Sequence, residues 1–292
     1  MSKISTRETL KQHKLAPHKR FGQNFLVNPH TAQAIATCAN VNKEDTIVEV
    51  GVGLGALTAP LAGIAKKVLG IEIDSGLIRY HQEENHLADN VTLLHADILK
   101  VDFQNISKQC GNSLIIVANL PYSISNPFIF KLIENKKFIN RVVVMLQKEV
   151  ADRLMAQPGT KEYGIPTVLL NSCASIKKLM TLKPHEFHPQ PKIDSVVINI
   201  SFTEPQNPVK NLPSYDFSLF QKIVRAAFAK RRKTLINNLS SSPIVPPDVD
   251  TKLYRTELST AIESAGLSPA VRAEKLDYKD FVNLSLHIAK LQ

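Results

Sequence analysis

Cysteine is scarce in this sequence. Cys38, Cys110 and Cys173 are the only three, they lie far apart, and none belongs to a CxxC pair or a Cys/His cluster of metal-ligand spacing. They read as reduced core thiols, and no metal is expected. Long apolar runs are missing as well. No stretch reaches the roughly 18 residues needed to span a bilayer, and the N-terminal MSKISTRETLKQHKLAPHKR lacks the apolar core of a secretory signal. A cytoplasmic protein with no membrane partner is therefore expected. The basic residues Arg7, Lys11, Lys14, Lys19 and Arg20, set against the single acid Glu8, also fit a short amphipathic transit peptide. Internal repeats and low-complexity tracts are absent.

Acid is in short supply relative to base: 36 Lys and Arg stand against 26 Asp and Glu, a formal charge of +10. Such an excess commonly meets a polyanion, nucleic acid first, although charge alone also fits a generically basic soluble protein. With 43% apolar and 21% charged residues the composition is that of a folded globule. A length of 292 residues exceeds the usual single core, so one large domain and a smaller one are expected.

From Thr46 onward, short β-branched runs (TIVEV, KVLGIEI, VTLLHA, SLIIVAN, RVVVML) alternate with helix-like stretches, among them Leu57 to Ile64, Gly76 to Leu87 and Pro127 to Glu134. This rhythm predicts a mostly parallel, Rossmann-like α/β sheet covered on both faces. Two more strands, near Ser172 to Leu182 and Val196 to Phe202, are expected to form an antiparallel pair across a Pro-rich loop at Phe187 to Pro191. After Phe202 the segment TEPQNPVKNLPSYD reads as a linker. The predicted division is thus a catalytic domain over residues 1–202 and a small all-α domain over 203–292. Its helices are expected in LFQKIVRAAF, KTLINNL, LYRTELSTAIESAG and DYKDFVNLSLHIAKL.

Candidate chemistry gathers at the carboxyl ends of the first four runs. Glu49-Val50-Gly51-Val52-Gly53-Leu54-Gly55 closes the first run, where glycines let the backbone turn tightly against a nucleotide. Alone, that GxGxG fits a dinucleotide enzyme or a plain βα turn equally well. Glu72, about 20 residues on, stands where a carboxylate grips a ribose diol. Nicotinamide enzymes share this logic, so Glu72 points to an adenosine and not to a reaction. Asp97 at the third tip suits an adenine amino group. The fourth run ends in Asn119-Leu120-Pro121-Tyr122, whose pieces suit an exocyclic amine that must become a nucleophile. The Asn119 side-chain oxygen and the Leu120 carbonyl could accept both amine hydrogens. Pro121 would set the turn, and Tyr122 would offer a face for an extruded base.

These motifs together resemble the rRNA adenine N6-dimethyltransferases of the KsgA/RsmA type, over nearly the whole chain. The resemblance begins at Lys19-Arg20-Phe21-Gly22-Gln23-Asn24-Phe25-Leu26. It continues through EVGVGLGALT, GIEID, HAD and NLPY to Gln147-Lys148-Glu149-Val150-Ala151-Asp152-Arg153 and Phe187-His188-Pro189-Gln190-Pro191-Lys192-Ile193-Asp194-Ser195. It implies S-adenosyl-L-methionine as cofactor, bordered by Gln23, Asn24, Leu26, Gly51, Gly53, Glu72, Ile73, Asp97, Ile98 and Asn119. It also implies that Phe187 pairs with Tyr122 to sandwich the target base. Val52 departs from the family's usual Pro and fits if its φ is negative.

Arg225 and the run Lys230-Arg231-Arg232-Lys233, followed by Thr234, Leu235, Asn237 and Asn238, resemble the family's AFxxRRKTLxNNL segment. With Lys19 and Arg20 they would contact RNA phosphates; a solvated charged helix face is the alternative. The implied substrate is a pair of adjacent adenosines in the loop of the 3′-terminal helix of 16S rRNA, within the small (30S) ribosomal subunit, met by a monomer. Two other readings stay open at this point: a large-subunit methyltransferase of the macrolide-resistance type, and a non-catalytic assembly factor.

Overall fold

In the computed structural model of the chain, residues 6–13, 15, 22–111, 113–203 and 212–291 are described. The N-terminal half comprises α1 (Thr6–Gln12), β1 (Phe25–Leu26), α2 (Pro29–Cys38), β2 (Thr46–Val50), α3 (Thr58–Ala62), β3 (Lys67–Glu72), α4 (Ser75–Glu84), β4 (Val91–His95), α5 (Phe103–Gln109), β5 (Leu114–Asn119) and α6 (Ser125–Glu134). There follow β6 (Ile139–Gln147), α7 (Lys148–Leu154), α8 (Ile165–Asn171), β7 (Ser175–Leu182), β8 (Phe187–His188) and β9 (Ser195–Ser201). The last helices are α9 (Phe217–Ala227), α10 (Leu235–Leu239), α11 (Thr251–Ser264) and α12 (Tyr278–Ile288).

Seven strands form one sheet in the order β4-β3-β2-β5-β6-β9-β7. β2 pairs in parallel with β3 and with β5, β3 with β4, and β5 with β6. β9 then runs antiparallel to β6, with Arg141 opposite Ser201 and Gln147 opposite Ser195. The Rossmann-like class of the sequence reading is therefore the fold. The order reverses beside β2, the first long strand, so β3 and β5 flank it and their carboxyl ends open one crevice, where α/β sheets bind ligands. β2 and β5 read as near-continuous apolar runs because both faces are covered; Ile47, Val48, Ile116 and Val117 are almost wholly buried.

The segment expected as a Pro-rich loop contains β8, which pairs with β1 as Phe25↔His188 and Leu26↔Phe187. Side chains stitch the same region: Thr31 Oγ1 donates to Glu186 Oε2 at 2.8 Å, and the Val27 N–H donates to the Glu186 carbonyl at 2.9 Å. Two residues of pairing leave no alternation to detect in a sequence, so only the partner strand reveals this element.

The chain divides into two compact units, Met1–Ala151 with Ile176–Glu204, and Asp152–Ser175 with Pro205–Gln292. In this division Asp152–Ser175 falls with the C-terminal helices, apart from the rest of the stretch 1–202 expected as one domain. Hydrogen bonds explain that membership. The Tyr163 hydroxyl donates to the Leu276 carbonyl at 2.8 Å, and the Gly159 N–H to the Glu274 carbonyl at 2.6 Å. The Tyr163 and Phe228 rings lie 6.2 Å apart, and α8 packs on α9. Within this unit Phe220, Phe281, Leu258, Ile262 and Leu235 form a closed apolar interior. Asp216 caps α9 and Asp250 caps α11 through side-chain oxygens that accept backbone N–H groups. Among the described residues no helix is long and apolar enough to cross a membrane.

Candidate active site

The carboxyl ends of β2, β3, β4 and β5 surround one cavity of about 170 Å³. Of the residues expected at the cofactor, Gln23, Asn24, Gly51, Gly53, Glu72, Ile73, Asp97, Ile98 and Asn119 line it, and Leu120 and Pro121 of the expected catalytic set line it too. Eight positions that sequence reasoning did not single out for the site complete the wall, among them Phe25, Ala96, Leu99 and Ser123. Phe25 lies inside the quoted opening motif, but nothing in its residue type marks it as cavity-facing.

The glycine turn leaves β2 with φ of +80° at Gly51. A Cβ there would come within 2.8 Å of the Asn119 carbonyl oxygen, which is backbone and cannot swing away. Glycine at this position therefore lets the tips of β2 and β5 approach closely. Val52 is not among the residues of positive φ, which meets the condition stated for its departure from the family pattern. Its side chain is accommodated by a glycine in β3, because a Cβ at Gly70 would fall 2.7 Å from Val52 Cγ2.

Glu72 is 5% exposed and bonded to backbone throughout. Its Oε1 accepts the N–H groups of Ile73 and Asp74, at 2.9 and 3.0 Å, and its Oε2 accepts the Gly53 N–H at 3.0 Å. Burial raises its pKa, and the three backbone donors partly offset that rise. Asp97 Oδ1 accepts the Leu99 N–H at 2.9 Å, which fixes its carboxylate at the tip of β4. Gln23 is tied across to Asp74, the α4 N-cap, at 2.8 Å. Asn119 donates from Nδ2 to the Asn24 carbonyl at 3.3 Å, which leaves Oδ1 as the acceptor end of the amide.

Beneath this cavity lies a second, of about 20 Å³, lined by Glu49, Gly51, Gly53, Leu26, Leu57 and Asn119 among others. Leu26, expected at the cofactor, is placed here and not in the larger space. Glu49 is fully buried near the end of β2, and among the described residues neither of its oxygens, nor Thr58 Oγ1 beside it, makes a well-formed hydrogen bond. Its pKa is pushed up to about 8, first by burial and then by the Glu72 charge, with the Thr58 hydroxyl offsetting part. An acid inside the apolar run TIVEV was a legible signal that its site reading left unused.

Tyr122 begins the turn into α6, and its hydroxyl bonds Ser195 Oγ at 2.9 Å, which holds the ring in one orientation. Phe187 does not join it. Its β8 register turns the ring inward, where it is 2% exposed in the core that contains Leu26, Leu182 and Met145. Of the two rings expected to sandwich a base, Phe187 thus packs in this core and Tyr122 stands at the turn into α6.

In the second unit Arg225, Lys230, Arg231, Arg232 and Lys233 are all exposed. The run occupies the turn between α9 and α10, and Arg231 also pairs with Glu274 at 3.1 Å. Asn238, 2% exposed, shapes that turn by donating from Nδ2 to the carbonyls of Ala227 and Lys230, at 2.6 and 3.1 Å. Lys19 and Arg20 lie outside the described residues.

Comparison with known proteins bears on this arrangement. The family model described as ribosomal RNA adenine dimethylase matches residues 14–290. The chain is 56% identical over 281 residues to the ribosomal RNA small subunit methyltransferase A of Desulfotalea psychrophila, covering 96% of this chain and 94% of that one. It is 38% identical to the protein of the same name from Desulforapulum autotrophicum, covering 94% and 93% of the two chains. Among solved structures it is similar to a dimethyladenosine transferase from Plasmodium falciparum, with a TM-score of 0.73, 27% identity and coverage of 91% and 98%. It shares the fold of the 23S rRNA methyltransferase ErmE at a TM-score of 0.65 and 21% identity, with 91% and 100% covered.

Proposed function

The chain belongs to the ribosomal RNA adenine dimethylase family, and on that premise we propose that it dimethylates N6 of two adjacent adenosines in the loop of the 3′-terminal helix of 16S rRNA. The substrate is the maturing small (30S) subunit, the donor is S-adenosyl-L-methionine, and the enzyme acts as a cytoplasmic monomer in subunit biogenesis. The names of the relatives favour the small subunit over the large one. The observation that carries the chemistry is the convergence of Gly51, Glu72, Asp97 and Asn119 on a single cavity.

The residues fit the donor. Glycine at Gly51 keeps the floor open where a Cβ would collide with backbone, Glu72 supplies a buried carboxylate for a diol, Asp97 suits an adenine amine, and Ile73 and Ile98 give apolar walls for a purine. Bound there, S-adenosylmethionine supplies an electrophilic methyl group on a sulfonium whose departure leaves a neutral thioether. The work on the target base falls to the tip of β5. Its amino lone pair is delocalised into the ring. Asn119 Oδ1 and the Leu120 carbonyl accept the two N6 hydrogens, which turns that lone pair out of conjugation and towards the methyl. Pro121 holds the turn without offering a competing donor. Tyr122 takes the face of the extruded base. In the second unit the cations at 225 and 230–233 hold phosphates without reading sequence.

The test is Asn119→Ala. Methyl transfer to undermethylated small subunits is expected to fall about 100-fold or more, the scale on which a preorganised polar contact to a reacting group acts, while subunit binding stays near wild type. Turnover that persists in the variant would remove Asn119 from the chemistry.

A further inference from the structure

We infer that His81 on α4 is a positioning residue for the donor site, because it braces Gly53, the residue whose N–H in turn aims the one Glu72 oxygen left to receive a ligand hydroxyl. The inference rests on reading the cavity as an S-adenosylmethionine site. Glu72 Oε1 already accepts two backbone N–H groups, from Ile73 and Asp74, which fills its lone pairs. Oε2 accepts only the Gly53 N–H among these backbone donors, at 3.0 Å, so its second lone pair is the one a ribose hydroxyl can meet. Its direction follows the orientation of the Val52–Gly53 peptide, which carries that N–H.

The next peptide, Gly53–Leu54, is held as well, so the residue is pinned on both sides of its Cα. His81 Nε2 lies 2.9 Å from the Gly53 carbonyl oxygen. A carbonyl only accepts, so Nε2 carries the proton. The ring is 3% exposed, with Cε1 lying 3.4 Å from where a Cβ on Gly55 would sit, so it packs directly under the glycine turn. Tyr80 and His86 flank it with ring centroids 5.1 and 5.2 Å away.

The cost of this arrangement argues that it serves the site. His81 Nδ1 is buried and has no hydrogen-bond partner among the described residues, a penalty that an apolar side chain of similar volume would avoid. What histidine adds at this place is one N–H directed at one carbonyl of a cavity-lining turn. Gly53 itself, at φ of +58°, has the conformational freedom of glycine and needs bracing from both ends. The chain of contacts therefore runs from His81 to Gly53, from Gly53 to Glu72 Oε2, and from there to the donor.

The experiment measures S-adenosylmethionine binding by calorimetry, and donor KM and kcat with small subunits, for the full-length wild type, His81→Met and His81→Gln. Methionine fills the space without a donor; glutamine restores an N–H at similar reach. The expected result for His81→Met is a donor Kd and KM raised about tenfold, the scale of one lost hydrogen bond, with kcat within about twofold. His81→Gln is expected to return to within about threefold of wild type. Equal affinities for wild type and His81→Met would overturn the inference, as would equal impairment of both variants at matched melting temperature. Wild type that takes up no S-adenosylmethionine would instead refute the donor site itself. Should His81→Met fail to fold, nitrogen NMR of the wild-type ring decides: a neutral Nε2–H tautomer is expected, and an Nδ1–H tautomer or a charged ring at neutral pH contradicts the account.

Discussion

Gly51 and Glu49 stand two residues apart on β2, and the physical demands on them are opposite. Gly51 is set by a collision, since a Cβ would lie 2.8 Å from the Asn119 carbonyl oxygen at a φ of +80°. Gly51→Ala is expected to destabilise the fold by about 1–2 kcal/mol from the left-handed backbone alone. It is also expected to abolish donor binding, because relief of the clash must part the tips of β2 and β5. Urea unfolding and a donor titration read the two effects, and a variant that binds normally contradicts the close approach. Glu49 is set by burial. Its pKa is about 8 in the fold against 4.5 for the ordinary carboxyl, so between those values the unfolded chain ionises while the folded chain keeps its proton. The sign follows: the contribution present below about 4.5 is lost as pH rises towards about 8 and levels off above it. Glu49→Gln, neutral at every pH, should therefore gain on wild type by roughly 1.4 kcal/mol per pH unit across that window. Parallel stability curves for the two proteins would show that Glu49 is ionised in the fold.

At the level of elements, Asn238 links α10 to the end of α9 and to the turn after it through two carbonyls, those of Ala227 and Lys230. Asn238→Ala leaves both without that donor and is expected to cost about 1–3 kcal/mol in urea unfolding. It should also weaken RNA binding, because the turn that displays Lys230 to Lys233 loses its brace; unchanged binding at full stability would separate the two roles. The same elements show what the sequence could and could not disclose. TIVEV, VTLLH and the C-terminal amphipathic stretches were legible because burial imposes a period or a continuous apolar run on four or more residues. Gly51, Glu72, Asp97 and Asn119 were legible as candidates because each lies at or just past the carboxyl end of a strand, where α/β sheets gather ligands. β1 and β8 were not, since two residues carry no period, and it is that unseen pairing that decides which way the Phe187 ring points. The membership of Asp152–Ser175 in the second unit rests on contacts such as Tyr163 to Leu276, 113 residues apart, and no local pattern encodes them. His81 was invisible for a related reason: a lone histidine on a helix face acquires its meaning only from the Gly53 carbonyl that meets it.

At the scale of the whole molecule, the formal charge of +10 gives the protein a long-range attraction to RNA, which salt must weaken. Substituting Lys230 and Arg232 together by Glu is expected to lower affinity for small subunits across all RNA sequences and to flatten its dependence on salt by about one unit of slope or more. Donor affinity should not move, since the donor cavity is lined by residues of the first unit alone. Comparison of the two affinities thus separates polyanion capture from chemistry. The measurement that bears most directly on the central claim is transfer of label from methyl-labelled S-adenosylmethionine to undermethylated small subunits and, separately, to large subunits. The account requires label in N6,N6-dimethyladenosine from the 3′-terminal region of 16S rRNA and none in the large subunit. Label confined to the large subunit, or no dimethyladenosine in either, would contradict it.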